Sequence, residues 1–142
     1  MEALALGCKK VEGAVCEGVV VPSDLPIESN PYLTRTITAK SMFDRLDILT
    51  KEADVIIALP GYLGTLNEVI MSATLNYITD DNKRKRKPIF LSTHPWKAIW
   101  DSITAELGLK PHHRDIVQFF DDNQELMKLL SSIFSVCCQM PY

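Results

Sequence analysis

Short apolar runs alternate along this chain with longer stretches in which apolar residues recur every three or four positions. The first pattern predicts strands, and the second predicts helices with one buried face. Met1 to about Lys10 reads as the end of a helix, with Leu4 and Cys8 four residues apart and Gly13 beyond it. Val15 to Val21 is apolar and β-branched and stops at Pro22, and Leu33 to Ala39 alternates Thr and Ile; both read as strands. Ser23 to Tyr32, with Pro26 and Pro31, is a loop between them. Ser41 is placed to cap a helix running to about Glu52, along which Met42, Leu46 and Leu49 share a face. Asp54 to Leu59 is almost wholly apolar, as expected of a strand covered on both faces. A glycine-bearing turn at Pro60 to Gly64 then leads into a helix from Thr65 to about Thr79. Beyond it come a polar turn from Asp80 to Lys87, a strand from Pro88 to Ser92 and a helix from Pro95 to Leu107 stopped near Gly108. A strand from Ile116 to Phe120 and a helix from Asn123 to about Val136 follow.

Strands alternating with helices of this length predict βαβ units. The fold class is therefore α/β and Rossmann-like, with about five strands in a largely parallel sheet, helices on both faces, and one domain spanning residues 1–142. Length agrees, since a chain of 142 residues buries roughly 68% of its unfolded surface without staples. A hydrophobic content of 46% with a net charge of -3 excludes disorder. Acidic residues outnumber basic ones, 18 to 15, which argues against a nucleic-acid partner. No apolar run approaches the roughly 18 residues of a membrane span, and the first ten residues lack the pattern of a signal peptide. The expectation is a cytoplasmic protein with no membrane partner. Cys8, Cys16, Cys137 and Cys138 form no CxxC and read as reduced thiols.

In open α/β sheets ligands bind beyond the carboxyl ends of the strands. The best such place is the junction from Ala58 to Glu68. Gly61 and Gly64 let the backbone turn sharply and approach a ligand, and the free amides that open the next helix suit an anion. Glu68 lies one turn into that helix. Thr65-x-x-Glu68 also reads as a capping box, in which Thr65 caps the helix and Glu68 reaches back to it. The two roles are compatible.

These residues carry a resemblance. Pro60-Gly61-Tyr62-Leu63-Gly64-Thr65-Leu66-Asn67-Glu68 is similar to the Pro-Gly-Gly-x-Gly-Thr-x-x-Glu signature of the Lonely Guy family, cytokinin-activating phosphoribohydrolases often labelled lysine decarboxylases. Upstream, Met42-Phe43-Asp44-Arg45-Leu46 resembles the family's Met-His-x-Arg-Lys, keeping Met and Arg. Tyr62 replaces the second glycine, and Leu46 the lysine. The resemblance runs from about Met1 to at least Ser92, with Gly18-Val19-Val20-Val21-Pro22 matching a family strand. It implies that the first two strands and the first glycine loop of the family fold are missing here.

The resemblance implies hydrolysis of the N-glycosidic bond of a nucleoside 5′-monophosphate such as AMP, giving free base and ribose 5-phosphate. The enzyme would be a homodimer that uses no cofactor and no metal. Glu68 would stabilise the ribosyl cation and position water, and Arg45 would hold the nucleotide. Met42, Gly61, Tyr62, Leu63, Gly64 and Thr65 would line the substrate and phosphate site. Tyr62, if its φ is positive, would carry strain and weaken binding. The alternative is a non-catalytic nucleotide- or molybdenum-cofactor-binding protein of the same fold, favoured by Tyr62, Leu46 and the missing loop. Retention of both Arg45 and Glu68 favours the enzyme.

Other features read more plainly. Arg45 stands between Asp44 and Asp47, so a surface ion pair competes with its ligand role, and the two aspartates read as solvated. Lys83 to Lys87 is a basic run in a turn, a solvated connection in preference to a nucleic-acid patch. His94, His112 and His113 lack the spacing of a metal site. No lysine has a context suited to a pyridoxal cofactor. Trp96, Trp100, Phe119 and Phe120 read as core or subunit-contact residues.

Overall fold

A computed structural model describes residues 2–22, 30–79 and 86–137. In chain order the elements are α1 (Glu2–Lys9), β1 (Glu17–Val20), β2 (Arg35–Thr38), α2 (Met42–Lys51), β3 (Ile56–Ala58), α3 (Leu63–Tyr77), β4 (Ile89–Ser92), α4 (Thr93–Glu106), α5 (Pro111–Arg114), β5 (Val117–Phe120) and α6 (Asn123–Cys137). Among the described residues all strand pairs are parallel, with helices around them, so the fold is α/β and Rossmann-like. Contacts divide the chain into two compact units, Met1–Glu52 and Ala53–Tyr142. Most of the Ser23–Tyr32 loop, most of the Asp80–Lys87 turn with Lys83 to Lys85, and Cys138 lie outside the described residues. Cys8 and Cys16 are free thiols.

In the first unit β1 and β2 pair with Glu17 opposite Arg35, and these two side chains form an ion pair. The helix that follows β2 is closed as its sequence predicts. Ser41 Oγ accepts from the Asp44 amide at 3.1 Å, and Asp44 Oδ2 accepts from the Lys40 amide at 2.6 Å. Asp44 is thus a half-buried part of the cap and not the solvated residue expected, because its position three residues after the N-cap brings its carboxylate back over free amides. Asp47 is exposed, as anticipated. Ala5, Ala39 and Leu46 form the buried apolar positions of this unit.

In the second unit the strand order is β3-β4-β5. The middle strand is the best buried: Leu91 is 0% exposed, with Ile89 and Phe90 close to that. Around it pack Val69 and Ala73 of α3, Trp96 and Trp100 of α4, and Val117 of β5. Each large apolar side chain buried here is worth about 1.5–3 kcal/mol. The core reading of Trp96, Trp100 and Phe120 holds, and Phe119 is half-buried against the same cluster. The expectation for Asp54–Leu59 does not. Its strand is three residues long and lies at the edge of this sheet, with Ile57 42% exposed; β4 is the strand covered on both faces. An apolar run says that a strand is hydrophobic and cannot say which neighbours it acquires.

His94 has non-helical dihedrals, so the regular part of α4 begins at Pro95, as predicted. Gly108 ends it in the left-handed region, at φ 62°. The far end of α3 is tied to the start of β4 by buried Asn76. Its Nδ2 donates to Lys87 O at 2.6 Å, its Oδ1 accepts from Lys87 N at 3.0 Å, and its own carbonyl accepts from Arg86 Nε at 3.1 Å.

Asn76→Ala leaves the Lys87 amide and carbonyl without these partners in a partly buried place. Urea denaturation should show a loss of about 2–3 kcal/mol with an unchanged slope. A midpoint like that of the parent protein would mean that the clasp contributes nothing.

Candidate functional site

The β3–α3 junction is built from its ends inward. Where β3 stops, the Leu59 carbonyl accepts a hydrogen bond from Trp96 Nε1 at 3.0 Å, and that indole is 2% exposed. A buried side chain of α4 therefore holds the last turn of chain before the loop. At Gly61 the constraint is space. A β-carbon added there would overlap Thr65 Oγ1 and stand 2.8 Å from Thr65 Cβ. Neither Gly61 nor Gly64 has a positive φ; among the described residues only Gly13 and Gly108 do. The sharp turn expected of these glycines is thus a close approach at Gly61, and at Gly64 a β-carbon would meet nothing within 4 Å.

The helix starts earlier than predicted. Tyr62 is the N-cap of α3, and the Leu66 amide already donates to Tyr62 O at 3.0 Å, so Thr65 is a helical first-turn residue. A capping residue must stand outside the helix in extended backbone. Thr65 cannot do so, and the Thr65–Glu68 capping box does not form. No side chain caps this helix, and its first turn contains no acidic residue. The amides at its start are the ones an α-helix leaves without internal partners, carrying a partial positive charge.

Tyr62 has φ −103° and ψ −158°, an extended conformation open to any residue. The backbone strain expected at this departure from the glycine signature is absent. Its ring is 93% exposed, and Leu63 beside it is 83% exposed. Glu68 is half-buried one turn further along, and its carbonyl accepts from Ser72 Oγ at 2.7 Å.

The β2–α2 junction in the first unit carries the other two predicted residues. Met42 opens α2 and is largely exposed. Arg45 is half-buried, and its Nε donates to Val19 O of β1 at 3.0 Å. One side of its guanidinium is thereby fixed to the sheet of its own unit, a role beyond the surface ion pair considered from sequence. The structure thus gathers Gly61, Tyr62, Leu63, Gly64, Thr65 and Glu68 at one junction, and Met42 and Arg45 at another. Both junctions follow the carboxyl ends of parallel strands.

A family model described as Possible lysine decarboxylase matches residues 1–130. The chain belongs to this family. It is the lysine decarboxylase-like family that includes the Lonely Guy phosphoribohydrolases, and the match spans both junctions. No curated protein matches the chain. Against this family background, Trp96 and Val19 are the supporting residues that the sequence did not disclose. Trp96 was legible as core, but the partner of its N–H lies 37 residues away. Val19 acts through its carbonyl, which no residue pattern marks. Among the described residues no group of three or more His, Cys, Asp or Glu side chains is assembled to hold a metal ion. No helix there is long and apolar enough to cross a membrane.

Gly61→Ala should cost about 1–3 kcal/mol in thermal or urea unfolding, as overpacking does. In a Thr65→Ala background the same change should cost less by at least about 0.5 kcal/mol, because the nearest obstructing atom, Thr65 Oγ1, is gone while Cβ remains. Equal costs in both backgrounds would show that the Thr65 hydroxyl is not the constraint.

Proposed function

We propose that the chain is a nucleoside 5′-monophosphate phosphoribohydrolase that releases free base and ribose 5-phosphate. The observation that carries this reading is the carboxylate-bearing Glu68 one turn behind an uncapped helix start, in a family that includes phosphoribohydrolases. Water adds to ribose C1′ as the bond from C1′ to the base nitrogen breaks, and that bond's electron pair leaves with the base. Positive charge builds on the ribose, and a neighbouring carboxylate stabilises it while accepting the proton that water loses; that proton then passes to the departing base, which restores the carboxylate. Glu68 takes that part. First-turn amides from Leu63 to Thr65 receive the 5′-phosphate, which an unopposed helix dipole favours. Arg45, steadied by Val19, supplies a fork of donors to the nucleotide. The exposed Tyr62 takes part in binding at its own junction, and Met42 at the other. In this reading AMP-like nucleotides are the substrates, and the enzyme acts as a cytoplasmic homodimer without cofactor or metal.

A second reading, binding without turnover, is favoured by one observation: a large exposed side chain stands at the helix cap where the family signature has glycine. Nucleotides or a molybdenum cofactor would then be ligands only. Binding of AMP by the parent protein with no release of adenine would select it.

Glu68→Gln keeps the shape of the side chain and removes its charge. Calorimetry should find AMP binding retained, and a ribose 5-phosphate assay should find hydrolysis reduced at least about a hundredfold. A rate equal to that of the parent protein would overturn the assignment.

Arg45→Ala should weaken AMP at least about tenfold more than adenosine if the guanidinium serves the phosphate. Equal weakening of both would move it to the base or ribose. The same variant should lose about 1 kcal/mol of stability with the Val19 hydrogen bond.

A further inference from the structure

A second group of side chains in the Ala53–Tyr142 unit has no part in that chemistry. Tyr77 closes α3, Arg86 stands ahead of β4, His112 and His113 belong to α5, and Ile116 precedes β5. Together they line a cleft of about 160 Å³. Pockets that take a whole cofactor or drug-sized molecule run to about 300–1,000 Å³. This one has room for roughly five waters at about 30 Å³ each, or for one tetrahedral anion and part of its hydration.

The lining is positioned, and among the described residues that form it the charge is of one sign. Arg86 Nε donates to the carbonyl of buried Asn76, which also clasps Lys87 through its side chain. The His113 ring meets Tyr77 edge-on with centroids 4.6 Å apart, and meets His112 at 3.9 Å and 69°. Loss of hydration pushes the His113 pKa down, and His112, Lys110 and Arg86 push it the same way. An imidazolium at this place is therefore repelled by its neighbours, and a guest carrying negative charge relieves that repulsion. A guanidinium, two imidazoles and a phenol together offer N–H and O–H donors around a space that takes one partly hydrated oxyanion.

We propose that this cleft is a binding site for a tetrahedral oxyanion of the phosphate type. Bound there, the anion favours protonated imidazole, so it raises the His113 pKa and binds more tightly as pH falls through the histidine range. His113 is the group on which this pH dependence rests. The phosphate belongs either to inorganic phosphate or to the end of a phosphorylated metabolite.

Sulfate is the first probe because its charge does not change between pH 6 and 8, so any pH dependence belongs to the protein. With ionic strength held constant, the His113 ring protons are followed by NMR, and His94 serves as an internal reference. Sulfate should move the His113 resonances saturably while His94 stays still. Its affinity should be at least about tenfold higher at pH 6 than at pH 8. Arg86→Gln and His113→Phe should each weaken it at least about tenfold at pH 6. The phenylalanine variant keeps a ring against Tyr77, so it decides the matter if Arg86→Gln disturbs the Asn76 clasp. A non-saturating shift, equal affinity at the two pH values, or parent-like binding by His113→Phe would overturn the proposal. Tighter binding of glycerol phosphate than of inorganic phosphate identifies a phosphorylated metabolite, and the reverse identifies inorganic phosphate. Glu68→Gln should bind sulfate at His113 unchanged, so failure of either site leaves the other standing.

Discussion

The burial of β4 is the constraint on which the larger unit rests. Ile89, Phe90 and Leu91 are almost wholly removed from water, and the strand pairs with a parallel neighbour on each side. Parallel pairing forbids tight hairpins, so each connection must travel back the length of the sheet. Helix α3 makes the return from β3 to β4, and its start is thereby delivered to the carboxyl end of β3. The segment after β4 sends Trp96 into the core, where its indole also holds the Leu59 carbonyl. Core packing and the placement of the Pro60–Glu68 junction are consequences of the same pairing.

The two strand-to-helix junctions finish their helices in opposite ways. At α2 the chain satisfies its own amides, through Ser41 Oγ and the Asp44 carboxylate. At α3 the N-cap is Tyr62, whose side chain makes no such bond, and no acidic residue stands in the first turn. A helix start supplied with internal acceptors has little left for a ligand oxygen, whereas an uncapped one has amides and dipole both available. This contrast separates a helix start closed by its own side chains from one left open. Gly61 belongs to the second kind through steric fit: its lack of a β-carbon lets Thr65 tuck against the loop.

Much of this was legible in one dimension, and the misses have definite causes. The spacing of Met42, Leu46 and Leu49, the β-branched runs and the stop at Gly108 located the elements, because period and breaker residues act over a few positions. Ser41 was recognised as a cap for the same reason. Thr65 was misjudged because the helix began at Leu63, and a capping box depends on where the first helical dihedrals fall. Asp54–Leu59 was judged doubly covered, yet Ile57 is exposed at a sheet edge. Strain at Tyr62 was inferred from a signature and is absent from the dihedrals themselves. The roles assigned to Arg45 and Glu68 came from the motif pair, and the geometry adds what holds Arg45 in its own unit.

The amino-acid order alone therefore determined the α/β class, the family and the order of the elements apart from the short α5, which read as loop, since these depend on local periodicity and on short motifs with fixed spacing. Tertiary structure decided which strand is central, which helix start is left uncapped, and what holds the chain at Leu59, Val19 and Asn76. It also drew Tyr77, Arg86, His112 and His113 from three segments around one cleft. Those outcomes depend on backbone carbonyls and on partners tens of residues apart, and neither leaves a periodic trace in the sequence.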